Sequence, residues 1–265
     1  MKLPFNTSLK RTHKLYSMIW ALLLFITFSC GQTGAGDDPL DIVLCIGQSN
    51  MAGRGDIEDQ DTVTLEDVLL FNAEQEFEPA KNPMNKYSTV RKNMGMQRLS
   101  PAWTFGINYQ AAKGGKVGLV VNARGGSKIM EWQKGTLYYN EAIIRALQAQ
   151  KHGTITGIIW HQGEGDRNQS ELYQDRFDQM ISDMRKDLGI PNLPVVVGEV
   201  GNWRGNSGPI NEVIRNLERN VPYVKAISAE GLNHLGDSTH FDSDAQRKLG
   251  KAYAEALIEL QENAD

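Results

Sequence analysis

The sequence predicts an α/β fold, a three-layer α/β/α sandwich with a central parallel sheet. Three observations carry that expectation. Apolar, β-prone runs recur at 42–46, 68–71, 117–121, 157–160, 195–200 and 223–228. Helical patterns with recognisable starts and stops lie between most of them, which supplies the crossovers that parallel neighbours need. Polar or glycine-bearing blocks follow several of these runs, at the carboxyl edge where open α/β sheets bind ligands.

The elements follow in order. The apolar strand 42–46 runs straight into a glycine-punctuated turn, GQSNMAGRG at 47–55, that presents one serine, Ser49. After the strand at 68–71, residues 72–99 are poorly periodic, with Pro79, Asn82, Pro83, Asn85 and several methionines, and read as a surface excursion walling one side of a cleft. Ser100-Pro101 opens a helix as cap and first residue. The strand at 117–121 leads into NARGGSKIMEW at 122–132, and a helix over 137–150 has Gly153 beyond its end. The strand at 157–160 leads into WHQGEGD at 160–166. A helix starting at Ser170 stops at Gly189-Ile190-Pro191. The strand 195–200, a helix over 211–219 and the strand 223–228 precede DSTHFD at 237–242, and a helix over 244–261 closes the set. There is no internal repeat and no low-complexity tract.

At 265 residues and 40% hydrophobic content, the chain fits one sizeable domain with an N-terminal extra. Its net charge is −4, and its lysines and arginines are scattered along the sequence, so the footprint of a nucleic-acid binder is missing. Lys2, Lys10, Arg11 and Lys14 precede an apolar run at 18–28 that is short for a membrane span and suits a signal peptide. The run ends in Thr27-Phe28-Ser29-Cys30-Gly31, which resembles a bacterial lipobox. Residues 1–30 are therefore expected to be a lipoprotein-type signal peptide ending at Cys30. Residues 31–38 read as a flexible tether and 39–265 as the domain. The protein is expected to be exported and to touch the membrane only through a lipid on Cys30. Thr27 and Phe28 depart from the commonest lipobox residues, and release as a soluble periplasmic or secreted protein is the alternative. Cys45, the one other cysteine, sits inside the first apolar strand as a small buried thiol, and no disulfide is expected.

Ser49 reads as a nucleophile, and a hydroxyl in that role needs a base and a group that orients the base. His240 is the candidate base and Asp237, three residues upstream, the candidate orienting carboxylate. Donors to a developing oxyanion are sought in the backbone N–H of Ser49, a backbone N–H of Gly125-Gly126 and the side-chain amide of Gln162. Glycine lets the backbone approach a reacting carbonyl closely. Alone, Ser49 would be a turn residue, Asp237 a cap and His240 a surface histidine; their blocks gain meaning from falling on one sheet edge. His161, Glu164, Asp166, His234, Asp237 and His240 also offer donor types for zinc or calcium. They show neither a helical HExxH spacing nor a compact calcium loop, so no metal is expected.

Together the blocks at 47–55, 117–132, 157–166 and 237–250 resemble the carbohydrate esterase family six and sialate O-acetylesterase-like branch of the SGNH hydrolases, over most of 41–257. The resemblance implies the SGNH, flavodoxin-like sandwich and a serine esterase that removes O-acetyl groups from carbohydrates without a cofactor. Its substrate would be acetylxylan or a related acetylated poly- or oligosaccharide, or alternatively an O-acetylated sialic acid. Gln162 stands where many SGNH enzymes carry an oxyanion asparagine. Asp237 matches the Asp-x-x-His aspartate, with Glu164 of the HQGE block as the alternative partner of His240. Asn50, Arg54, Arg124 and Trp132 flank the site as substrate-contacting candidates. Their other reading is bracing of loops by the polar three, and packing for Trp132 and for Trp203. The rival from another class is a surface glycan-binding lipoprotein that keeps the fold without turnover.

Overall fold

The computed structural model describes residues 39–263. The leader, Cys30 and the tether expected over 1–38 lie outside the described residues. Seven strands form one sheet: β1 (Leu40–Gly47), β2 (Leu65–Phe71), β3 (Phe77–Ala80), β4 (Val117–Ala123), β5 (Gly153–His161), β6 (Val195–Gly198) and β7 (Val224–Ile227). Their spatial order is β3-β2-β4-β1-β5-β6-β7. All neighbours pair in parallel except β3, which runs antiparallel to β2 on the edge.

Strand periodicity divides the core in two. Ile42, Leu44 and Ile46 of β1 point to a cluster shared with α3 (Leu137–Ala149), α4 (Tyr173–Leu188) and α5 (Ser207–Asn220). Val43 and Cys45 point the other way, to a cluster built with α2 (Pro101–Lys113) and α6 (Ser243–Glu262). These are the two outer layers of the expected sandwich.

The structure departs from the sequence reading at element ends. The 72–99 excursion contains β3, whose Pro79 is tolerated because an edge strand leaves one side unpaired. β5 begins at Gly153, where the sequence suggested only the end of the preceding helix, and Leu40 to Ile42 pair with its first residues. Ser170 starts a short 3₁₀ turn, and α4 itself begins at Tyr173. α5 begins at Ser207, with Pro209 in its first turn.

Candidate active site

β1 lies at the centre of the sheet, and its last residue, Gly47, is level with Ala123 of β4 on one side and His161 of β5 on the other. Three strands thus end together. A side chain at Gly47 would place Cβ 2.3 Å from the His161 carbonyl oxygen, and its φ is +136°, so this close approach requires glycine. Backbone bonds from Gln48 N–H to His161 O (2.8 Å) and from Arg124 N–H to Gly47 O (2.9 Å) lock the three following loops together. Ser49 opens a single helical turn, α1 (Ser49–Ala52), directly above this junction.

The partner loop comes from the far end of the chain, between β7 and α6. The Asp242 carboxylate accepts the Ala245 N–H at 2.8 Å and caps α6 two residues beyond His240. A bridge between His234 and Phe241 pinches the loop, and Trp203 packs on both rings at centroid distances of 5.1 and 4.8 Å. The Trp203 indole donates to Leu232 O at 3.0 Å, so this tryptophan braces the loop.

Within that frame His240 Nε2 lies 3.0 Å from Ser49 Oγ, and His240 Nδ1 lies 2.6 Å from Asp237 Oδ2. The other Asp237 oxygen accepts the N–H groups of Thr239 and His240 at 2.9 and 2.8 Å. Partial burial by itself would raise the Asp237 pKa, but the backbone and ring hydrogen bonds from His240, the Thr239 N–H and the imidazole charge outweigh it and bring the pKa down to about 2. An ionised Asp237 accepts the Nδ1 proton and leaves the Nε2 lone pair directed at the serine hydroxyl.

Glu164 forms no hydrogen bond or ion pair with the His240 ring among the described residues. One of its oxygens accepts from the Asn50 side-chain amide and lies 3.9 Å from His161 Nε2. Asn50 in turn donates to Thr239 O at 3.1 Å and accepts from Phe241 N–H at 3.2 Å. The pair therefore staples the serine turn to the histidine loop. Asn50 is a buried brace, which corrects its reading as a sugar contact. His161, fully buried, holds Tyr253 Oη at 2.9 Å, and burial pushes its pKa down.

Three further candidates fall elsewhere than expected. The Gln162 amide is buried and donates to Ser127 O (3.0 Å), Asp166 Oδ2 (2.6 Å) and Gln48 Oε1 (3.3 Å). Those acceptors hold it beneath the cleft floor and occupy its donors, so it is not an oxyanion donor in this arrangement. Trp132 is wholly buried, edge-on to Trp160 at 5.2 Å, with its indole donating to Ser127 Oγ at 2.9 Å. It is a core residue and not a sugar platform. Arg124 donates to Val90 O at 3.1 Å and lies over the Tyr138 ring, away from the cleft.

Gly125 and Gly126 do line the cleft. A Cβ on Gly125 would lie 3.5 Å from Ser49 Cβ and 2.7 Å from Arg54 Nη2. No hydrogen bond among the described residues uses the N–H of Gly125 or Gly126. The Ser49 N–H sits at the start of α1, where first-turn donors have no intrahelical partner. These groups, unlike Gln162, have their donors free beside Ser49. The loop is held by Asn85, whose amide accepts from Ala123 N–H at 2.9 Å and donates to Ala123 O at 3.1 Å.

The cleft has a volume of about 330 Å³. Arg54 lines it, as expected, with its guanidinium tied to the carbonyls of Gly53 and Met96. Lys92, Arg167 and Arg204 line it too, and sequence reasoning passed over all three. The only signal was that each lies in a loop that follows or faces one of the chemical blocks. The residues weighed as metal ligands do not converge: no group of three His, Cys, Asp or Glu among the described residues is arranged to hold an ion. His234 Nδ1, for one, accepts the Gly236 and Ser238 N–H groups.

A family model described as carbohydrate esterase, sialic acid-specific acetylesterase matches residues 39–259. A probable carbohydrate esterase of Arabidopsis thaliana is 28% identical over 241 residues, covering 83% of this chain and 91% of that protein. The solved structure of that plant protein superposes with a TM-score of 0.77 at 26% identity, over 83% of this chain and 98% of the other. A carbohydrate acetylesterase from Xanthomonas citri shares the fold with a TM-score of 0.65 at 17% identity, over 84% of this chain and 57% of the other.

Proposed function

The chain belongs to the carbohydrate esterase, sialic acid-specific acetylesterase family, and from that premise we propose that Ser49, His240 and Asp237 carry the removal of O-acetyl groups from carbohydrates through an acetyl-enzyme. Ser49 Oγ attacks the acetyl carbonyl while His240 Nε2 takes its proton. The tetrahedral intermediate collapses, the C–O bond to the sugar breaks, and His240 returns the proton to the departing sugar oxygen. Water then attacks the acetyl group on Ser49 with His240 again as base, releasing acetate and restoring the serine. The N–H groups of Ser49, Gly125 and Gly126 stabilise the oxyanion in both halves.

The single observation that carries this reading is the unbroken relay Ser49–His240–Asp237 at 3.0 and 2.6 Å, assembled at the sheet's carboxyl edge. The substrate is an acetylated glycan, of the acetylxylan type or an O-acetylated sialic acid. Acid quenching during turnover of an aryl acetate, followed by peptide mass spectrometry, should find the acetyl group on the Ser49 peptide. Acetyl on no peptide, with turnover proceeding, would remove the covalent route. A surface location through a lipid on Cys30 belongs to the same proposal. Labelling with a fatty-acid analogue should be lost in Cys30→Ser, and equal labelling of both would remove the anchor.

A further inference from the structure

The turn that carries Asp237 and His240 is held in a conformation that its sequence does not favour. Ser238, between them, has φ +54°. Among the described residues only Gln75, Tyr223 and Ser238 combine a side chain with positive φ, and Ser238 alone of the three belongs to the catalytic turn. A left-handed residue with a Cβ crowds its neighbouring carbonyl, so it persists only where surrounding groups fix it.

Local support for Ser238 is slight. Its N–H donates to His234 Nδ1 at 3.2 Å, and its hydroxyl makes no hydrogen bond among the described residues. The stronger hold comes from another loop: Arg204 Nε donates to Ser238 O at 3.1 Å, and Arg204 Nη2 donates to Thr239 Oγ1 at 2.5 Å. Two donors on one edge of a planar guanidinium thus meet acceptors on consecutive residues, a fork that an ammonium group does not reproduce. Thr239 passes the constraint on. Its hydroxyl donates to Asp237 O at 3.2 Å and its N–H to Asp237 Oδ1 at 2.9 Å, the oxygen that also takes the His240 N–H at 2.8 Å.

Arg204 is itself presented from a fixed base. It lies in the loop 199–206 between β6 and α5. The Asn211 amide clasps the Val200 N–H and carbonyl at 2.9 and 2.7 Å and donates to Asn202 Oδ1 at 2.8 Å, while the Asn206 amide donates to Asn168 Oδ1 at 2.9 Å near the other end. The Arg204 side chain is exposed and lines the cleft together with Thr239 and His240. Removing its guanidinium opens no core cavity and touches the turn alone.

We infer that Arg204 is a positioning residue, whose fork holds Ser238 left-handed and so keeps the His240 ring between Asp237 and Ser49. Without it Ser238 relaxes toward negative φ, and the ring turns away from Ser49 Oγ, now 3.0 Å distant. The consequence for rate rests on the esterase reading; the consequence for geometry does not.

The test takes two readouts on the full chain. Arg204→Met should keep the parent's circular dichroism and Tm, since the position is exposed. On an aryl acetate, which brings no glycan to contact Arg204, its kcat should fall at least about tenfold while KM changes less than about threefold. Arg204→Lys keeps the charge without the fork and should recover little of the loss. Arg204→Met combined with Ser238→Gly should regain several-fold in kcat, because glycine takes positive φ without support. The second readout needs no turnover: the low-field NMR signal of the His240 Nδ1 proton, assigned by its absence in His240→Gln. It should be sharp in the parent, broadened or lost in Arg204→Met, and present again in the double variant. A kcat within about twofold of the parent in Arg204→Met would overturn the positioning role, as would full recovery in Arg204→Lys or a double variant no faster than Arg204→Met. A parent that shows the signal, loses it in Arg204→Met and yet cleaves no ester would refute the esterase reading and leave the positioning role standing.

Discussion

Replacing Asp237 by Asn tests the relay at its most exposed link. The Asn side-chain oxygen can still accept the N–H groups of Thr239 and His240, which Asp237 Oδ1 now holds at 2.9 and 2.8 Å, so the loop keeps its shape. The change falls on the other atom. Where Asp237 Oδ2 now accepts a proton from His240 Nδ1 at 2.6 Å, an NH₂ group would donate instead. The imidazole then moves its proton to Nε2, which lies 3.0 Å from Ser49 Oγ and can no longer take the serine proton. A wrong-tautomer base of this kind lowers kcat by roughly 10⁴-fold, which corresponds to about 5.5 kcal/mol of transition-state stabilisation. The assay is the steady-state hydrolysis of an aryl acetate, with circular dichroism to show an intact fold. A loss of less than about tenfold in Asp237→Asn, alongside a larger loss in Glu164→Gln, would refute the reasoning and move the orienting role to Glu164.

Further outcomes follow from the same geometry. Gln162→Ala should act on stability, by about 1–3 kcal/mol for stranding buried partners, with kcat changing less than about tenfold; a loss of about 100-fold in kcat at an unaltered Tm would return Gln162 to the oxyanion site. Gly125→Ala should lower Tm, because the added methyl lies 2.7 Å from Arg54 Nη2 and that guanidinium is tied to two backbone carbonyls, and it also crowds the space beside Ser49 and lowers kcat/KM by at least about tenfold. Full activity in that variant would remove Gly125 from the reacting centre. Asp237 has a lowered pKa in the fold, about 2 against an ordinary 3.8, so below the ordinary value the unfolded chain binds the proton first. The stability it contributes is present above about pH 4 and is lost as pH falls toward 2. The Tm advantage of the parent over Asp237→Asn should close in that window, and a gap constant down to pH 2 would contradict it.

Much of this was legible in the sequence, for identifiable reasons. The strands at β1, β4 and β6 are apolar runs buried on both faces, and their signal does not depend on context. Ser49 follows the tight turn after β1, and Asp237 and His240 lie beside turn-forming residues in the β7–α6 connection, so their placement follows from position in the chain more than from packing. What escaped was set by tertiary contacts. Gln162 and Trp132 carry side chains that suit a cleft equally well, and only the sheet geometry turns both inward, to Asp166, Ser127 and Trp160. β3 is four residues long and contains a proline, so periodicity is silent there. Lys92, Arg167 and Arg204 come from three loops far apart along the chain, and a scattered charge count hid their convergence.

The most direct test of the central claim is acetate release from acetylated xylo-oligosaccharides and from O-acetylated sialic acid, comparing the parent chain with Ser49→Ala. The account predicts release from at least one glycan by the parent and a fall of at least about 10⁴-fold in Ser49→Ala. Release at the same rate by both proteins would contradict it.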